Sequence, residues 1–203
     1  ETQTVFKEKA KLTNSDIYFS DQLIENVLES DLKGAYQKHN IKTVTQSINV
    51  LRHSGFSISD SELKKGLLNV TKNTGLQGRW QVIQYNPKVI CDTAHNKEGL
   101  TFVLQQLQLE TYNQFHIVFG AVNDKDLNTI IPLFPKNAIY YFCKPDVPRG
   151  LDAVLLQKKF LEYNIQGDVY KSVEDALSKA KSNASNSDLI FVGGSTFVVA
   201  EII

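Results

Sequence analysis

The sequence has no methionine, only two cysteines, five prolines and one tryptophan among its 203 residues. Two thiols, Cys91 and Cys143, each inside an apolar run, argue against a disulfide scaffold or a zinc site and suit a reducing compartment. Long apolar runs are also missing. Ile139–Cys143 and Leu189–Val192 are among the longest, far short of the roughly 18 residues a membrane helix requires, so a soluble, cytoplasmic protein without membrane association is expected. No charge of one sign dominates. The 22 basic and 22 acidic side chains cancel to a formal net charge of zero, without a basic stripe, which argues against nucleic acid or an anionic surface as partner. No signal or transit segment explains a chain that opens on Glu1 without methionine, and a piece of a longer protein is expected.

Several chemical signatures are absent as well. There is no G-x-x-x-x-G-K-[ST] phosphate loop, no G-x-G-x-x-G dinucleotide fingerprint, no H-E-x-x-H zinc helix and no G-x-S-x-G nucleophile elbow. The chain by itself is therefore expected to carry no complete catalytic machine.

What is present is alternation. Lys88–Cys91, Phe115–Gly120, Ile139–Cys143 and Leu189–Gly193 are continuous apolar runs of the kind that strands buried on both faces require, and a short strand is expected at Asp168–Tyr170. Between them, Leu100, Val103, Leu104 and Leu107 fall on one helical face, as do Leu127, Ile130, Ile131 and Phe134. Helices are further expected over Leu151–Tyr163, after the Ser172/Asp175 capping pair, and from Thr196. The pattern predicts an α/β fold with a doubly wound, mostly parallel, Rossmann-like sheet over residues 74–203. Residues 1–73 read differently. Val5–Leu12 is a predicted helix and Ile17–Phe19 a predicted strand. A long helix over Tyr36–His53 should bury Ile41, Val44, Ile48 and Leu51, and a Ser59/Glu62 capping box should open another helix through Leu63, Leu67 and Val70. Two strong helices with little sheet fit the tail of a preceding domain, joined near Asn73–Gly75.

In open α/β sheets, ligands bind beyond the carboxyl ends of the strands. The loops that follow the predicted strands carry Asp92, His95 and Asn96; Asp124, Lys125 and Asp126; Arg149; and Ser195 after two glycines. Each has a plainer reading. Asp92 and Ser195 suit helix caps, and Asp124-Lys125-Asp126 suits a solvated helix start. His95, expected in a first helical turn where the dipole disfavours a cation, should be a neutral hydrogen-bonding imidazole.

Taken together, Gly34–Asn40, Gly78-Arg79-Trp80-Gln81, Asp92–Asn96, Gly120 with Asp124-Lys125-Asp126, Pro148-Arg149 and Gly194-Ser195 resemble, in order, the C-terminal half of folylpolyglutamate synthase and bifunctional dihydrofolate synthase, members of the Mur ligase superfamily. Thr93 departs from the pattern, where glycine is commoner. The resemblance implies an ATP-dependent acid–amino-acid ligase that adds L-glutamate to dihydropteroate or a folate through an acyl phosphate, in folate biosynthesis. It implies that residues 1–73 end the central ATP-binding domain and that 74–203 form the glutamate ligase domain, with a hinge near Asn73–Gly78. ATP and Mg2+ are implied, the phosphate loop and metal ligands belonging to an N-terminal part outside this chain. By position, Asn40, Arg79 and Asp92 are implied to contact ATP and His95 and Ser195 to contact glutamate. Asn96, Asp124, Lys125, Asp126 and Arg149 are implied to support them. Arg79→Ala and Asp92→Ala are expected to weaken ATP use more than they disturb folding. Two alternatives stay open: a Mur-type peptidoglycan ligase domain, and a non-catalytic nucleotide-binding or interaction module of the same fold.

Overall fold

The β-branched and aromatic runs after residue 87 form strands because helices cover them on both faces. In the computed structural model, which describes residues 2–203, the chain falls into two compact units. One runs through Asp31 and continues over Gln37–Asn73; the other joins Leu32–Tyr36 to Thr74–Ile203.

The first unit contains α1 (Gln3–Thr13), α2 (Ser20–Leu23), α3 (Gln37–His53) and α4 (Asp60–Leu67), and α5 (Val70–Thr74) begins in it. The expected capping box opens α4: the Ser59 hydroxyl accepts the Glu62 N–H, and the Glu62 carboxylate accepts the Ser59 N–H at 2.7 Å. Its core is small, with Ile41, Leu63 and Leu67 buried and Leu28 and Ile48 packed against them. Several expectations fail in this unit. Val44 and Leu51, placed on the buried face of α3 by their spacing, are 41% and 37% exposed. Periodicity reports an apolar stripe but not what covers it, and the described residues of this unit cover only part. Ile17–Phe19 forms no strand, since no strand lies among the described residues of this unit to share a hydrogen-bond ladder. The long helix also starts at Gln37, not Tyr36.

The second unit is a six-stranded sheet flanked by helices. In chain order it comprises β1 (Gln81–Tyr85), β2 (Lys88–Asp92), α6 (Lys97–Leu107), β3 (Phe115–Phe119), α7 (Leu127–Ile130), a 3-10 turn at Ile131–Leu133, β4 (Ile139–Phe142), α8 (Ala153–Leu161), β5 (Gly167–Val169), α9 (Val173–Asn183), β6 (Leu189–Gly193) and α10 (Thr196–Ala200). The strand order is β1-β2-β6-β3-β4-β5, with β1 antiparallel to β2 and every other pair parallel. The apolar pattern does not predict the edge strand β1. It is half-buried, so it lacks the continuous apolar signature of its neighbours.

Alternate residues of each strand enter two cores. Ile90, Ile117, Phe119, Tyr140, Phe142 and Phe191 meet α6, α7 and α8, while Val89, Cys91, Val118, Tyr141, Ile190 and Val192 meet α9 and α10. Burial pushes the Cys91 thiol up to about 12, with the neighbouring Asp92 charge adding to the shift, so the thiol stays protonated and packs as an apolar group.

At the amino ends of β3 and β6, His116 is buried. Its Nδ1 lies 2.9 Å from the Tyr141 hydroxyl and its Nε2 3.5 Å from Asp188, whose carboxylate accepts the N–H groups of Ser185 and Gln114. Burial holds His116 below its ordinary value, and Asp188 offsets this only in part. The folded-state value is therefore the lower one. Its contribution to stability is present above about pH 6.5, where both states are neutral, and is lost as pH falls through the folded value. We expect the melting temperature to drop as pH falls below about 6.5, and to drop less in His116→Gln. Identical pH profiles for the two proteins would contradict this.

Candidate functional site

Because β2, β6 and β3 are parallel neighbours, their carboxyl ends share one edge, with Asp92 in register with Gly193 and Gly193 with Phe119. The chain leaves β2 for α6 on one face of the sheet and leaves β6 for α10 on the other. Loops that part in this way leave a crevice at the switch point. A concavity of about 180 Å3 lies there, lined by Tyr36, Arg79, Asp92, Thr93, His95 and Thr196 among others. A second, of about 70 Å3, is lined by His95, Asp124, Lys125, Arg149, Ser195 and Thr196. A third, of about 310 Å3, takes in His95, Asn96, Lys125 and Asp126. His95 is common to all three.

Asp92 is the most constrained of these residues, at 1% exposure. Its Oδ2 accepts the Tyr36 hydroxyl at 2.8 Å and the Trp80 N–H at 2.7 Å, and its Oδ1 accepts the Ala94 N–H at 2.8 Å. Burial raises the carboxyl above its ordinary value, while these donors and the Arg79 guanidinium pull it back toward the charged form. Asp92 thus caps no helix; it closes β2, and Asn96 caps α6 by accepting the Gly99 N–H at 2.9 Å. Reaching Asp92 requires an unusual turn at residues 78–80. Gly78 has φ +69°, and a Cβ there would stand 2.8 Å from the Thr93 methyl. Trp80, buried, holds a left-handed φ of +48°, a conformation that costs an L-residue roughly 1–2 kcal/mol. The strain is offset where the Trp80 N–H meets Asp92.

His95 precedes the Asn96 cap, so it lies outside the first turn of α6 and the dipole argument does not apply to it. A local bond sets its tautomer instead. Nδ1 is 2.9 Å from the Thr93 carbonyl, which can only accept, so Nδ1 carries the proton and Nε2 is left for a ligand. Ser195 takes the plainer role foreseen for it: its hydroxyl accepts the Phe197 N–H at 3.2 Å and caps α10, a helix of only five residues. Its hydroxyl proton remains available to donate. Gly194 before it has φ +100°, and a Cβ there would lie 2.4 Å from the Gly120 carbonyl, so only glycine lets the β6 loop approach the end of β3 this closely.

Arg149 stands 3.5 Å from Asp124 and 4.9 Å from the Phe197 ring centroid. Both charged partners are more than half exposed, so the pair contributes little to stability and keeps its charges accessible. Asp126 caps α7 by accepting the Asn128 N–H. The structure therefore gathers Arg79, Asp92, His95, Asn96, Asp124, Lys125, Asp126, Arg149 and Ser195 along one edge. Asn40 lines none of these concavities. It is exposed on the first turn of α3 in the first unit, where its amide donates to Gln37 at 2.9 Å. Sequence reasoning missed Tyr36 as a site residue, reading it as the start of a helix; its only signal was its place in the Gly34–Asn40 motif. Among the described residues, no group of three or more His, Cys, Asp or Glu side chains is placed to hold an ion. These residues do not fit a Mg2+ centre of their own.

Residues 78–196 match the family described as Mur ligase, glutamate ligase domain. The chain belongs to this family. The match covers the turn at Gly78, Ser195 and the lining of the three concavities apart from Tyr36 and Phe197, and leaves the first unit outside. Among curated proteins, a probable bifunctional folylpolyglutamate synthase/dihydropteroate synthase from Haloferax volcanii is 32% identical over 171 residues, which are 84% of this chain and 20% of the relative. Among solved structures, E. coli FolC in complex with DHPP and ADP superposes with a TM-score of 0.72 at 24% identity, over 88% of this chain and 40% of that one. A bifunctional folylpolyglutamate synthase/dihydrofolate synthase with Mn, AMPPNP and L-glutamate bound gives a TM-score of 0.69 at 25% identity, over 87% of this chain and 39% of that one. The chain thus spans well under half the length of these relatives. The mostly parallel α/β sheet is the Mur ligase glutamate-ligase fold. No helix among the described residues is long and apolar enough to cross a membrane.

Proposed function

We propose that this chain is the C-terminal part of an ATP-dependent ligase that adds L-glutamate to dihydropteroate, to folates, or to both through an acyl phosphate, in the cytoplasm. The single observation that carries this reading is the crevice at the β2/β6 switch point. Arg79 and Asp92 lie on one side of His95, and Lys125, Arg149 and Ser195 on the other. In this reading, residues 1–73 close the central ATP-binding domain and 74–203 are the glutamate ligase domain. The phosphate loop and the Mg2+ ligands are supplied by an N-terminal domain of the same protein, its obligatory partner. Glutamate ligase relatives with AMPPNP, Mn and L-glutamate bound support ATP, a divalent ion and glutamate as ligands of the family.

Each side chain then has a task set by its chemistry. Arg79 offers a planar, permanently charged fork to phosphate oxygens. Asp92 has acceptor capacity left on Oδ1 for a ribose hydroxyl. Asn40 carries an amide able to pair with adenine. Lys125 and Arg149, two cations beside the single carboxylate of Asp124, suit the carboxylates of glutamate. Ser195 can donate its hydroxyl proton to one of them, while His95 Nε2 can accept from the ammonium or, protonated, bind a carboxylate. Asn96 and Asp126 hold the starts of α6 and α7 that frame the pocket. Closure over an acyl phosphate protects it from hydrolysis before the amine attacks, and in this reading the hinge for that closure is near residues 73–78.

Kinetics on the full-length protein separate the two halves of the crevice. Arg79→Ala should raise the KM for ATP by roughly 10- to 100-fold, the equivalent of about 1.5–3 kcal/mol for a lost charge-assisted bond. His95→Ala should instead raise the KM for glutamate, by about tenfold, with ATP little affected. An Arg79→Ala protein with unchanged ATP kinetics would remove that residue from the site. A His95→Ala protein impaired only in ATP binding would reverse the two subsites.

A further inference from the structure

The segment Leu32–Tyr36 lies between residues of the first unit in sequence, yet it packs as part of the second. Two anchors hold it. The Gln106 carboxamide on α6 accepts the Ala35 N–H at 2.5 Å and donates to the Lys33 carbonyl at 3.0 Å, satisfying two backbone groups as a neighbouring strand would. The second anchor is Tyr36. Its ring folds back over Gly34, where a Cβ would stand 2.7 Å from a ring carbon, and packs against the core under α6. Its hydroxyl reaches Asp92 Oδ2 across 56 positions of sequence.

An ionised carboxylate offers about four acceptor positions, two on each oxygen. Oδ2 spends both, on Tyr36 and Trp80, and Oδ1 spends one, on Ala94. One acceptor position remains, on Oδ1. We propose that Tyr36 is a positioning residue for nucleotide binding: strapped down by Gln106, it saturates Asp92 Oδ2, fixes the carboxylate plane and leaves a single acceptor for one ligand hydroxyl. The inference rests on the nucleotide reading of the crevice given above and adds the residue that orients its carboxylate.

The donor also tunes protonation. A hydrogen bond to the charged form favours it, so removing the Tyr36 hydroxyl raises the Asp92 carboxyl further and moves the acid limb of ligand binding to higher pH. A hydroxyl that served packing alone would leave that limb where it is.

The test is ADP affinity across pH in the full-length protein, measured for wild type, Tyr36→Phe, Asp92→Asn, the double variant and Arg79→Ala. Tyr36→Phe keeps the ring. It should weaken ADP binding roughly fivefold to tenfold near neutral pH, shift the acid limb upward, and cause no further loss in the Asp92→Asn background. Tyr36→Phe with wild-type affinity and acid limb, or with a loss that adds fully to that of Asp92→Asn, would overturn the proposal while Arg79-sensitive ADP binding left the nucleotide reading intact. A wild-type protein that failed to bind ADP would overturn both.

Discussion

Asp92→Ala is expected to lower the melting temperature by about 6–12 °C, a larger effect than its position in a ligand crevice alone would suggest. The carboxylate ties together three stretches of chain: Tyr36, the 78–80 turn through Trp80, and the loop after β2 through Ala94. Truncation leaves three donors without their acceptor in a nearly solvent-free place, and each buried, unsatisfied group costs about 1–3 kcal/mol. Even the low end sums to about 3 kcal/mol, or roughly 2–4 °C of melting temperature for each kcal/mol in a domain of this size. Trp80 would also lose the contact that offsets its left-handed backbone. Read from the sequence, this substitution is expected to weaken ATP use more than it disturbs folding; the three hydrogen bonds add a folding cost that the sequence does not show. Asp92→Asn should fall between, since the amide keeps one acceptor oxygen but sets an NH2 group among donors. Thermal melts beside nucleotide titrations decide it, and an Asp92→Ala protein that melted like wild type would contradict the network.

The second large effect is all-or-none. Given ATP, Mg2+, a folate substrate and glutamate, the 203-residue chain alone should release phosphate no faster than buffer. Phosphoryl transfer depends on a cradle that positions the β- and γ-phosphates and neutralises developing charge. The sequence has no phosphate loop, and its described residues offer no ion-binding cluster. The full-length protein should turn over under the same conditions. Phosphate release by the chain alone, dependent on glutamate, would sink the two-domain mechanism.

Much of the sheet is legible in the sequence because burial on both faces leaves a one-dimensional trace. The runs at β4 and β6 are continuously apolar, those at β2 and β3 are broken only by Lys88 and Asp92 at the ends of β2 and His116 within β3, and Leu100, Val103, Leu104 and Leu107 mark α6 by spacing alone. Caps are equally local, as at Ser59 and Ser172, where donor and acceptor lie three residues apart. β1 leaves no such trace, being half-buried at an edge; the Asn86-Pro87 turn between two short apolar runs is the signal that marks it. The stripe on α3 is visible, but how much of it becomes buried is not, as Val44 and Leu51 show.

The candidate site divides along the same line. The rule that ligands meet strand carboxyl ends picks out the loops with Asp92, His95, Asp124, Lys125, Arg149 and Ser195 from the order of strands and loops alone. What those residues do depends on non-local partners. Asp92 looks like a helix cap until Tyr36 and Trp80 are found to occupy it, and His95 looks like a first-turn residue until Asn96 takes the cap. Tyr36 is hidden for the most direct reason, since its partner lies 56 positions downstream.

The central claim is that the protein carrying this chain joins glutamate to a carboxylate activated by ATP, and the fate of one oxygen tests it most directly. In an acyl-phosphate mechanism a carboxylate oxygen bonds to the γ-phosphorus as the bond from that phosphorus to ADP breaks; the glutamate amine then attacks the acyl carbon, loses a proton and displaces that oxygen together with the phosphate. The full-length protein, given dihydropteroate or folate labelled with 18O in both oxygens of the reacting carboxylate, ATP, Mg2+ and L-glutamate, should release inorganic phosphate carrying one 18O for each glutamate joined. Phosphate without the label, or labelled phosphate without a glutamate adduct in the presence of all substrates, would contradict the account.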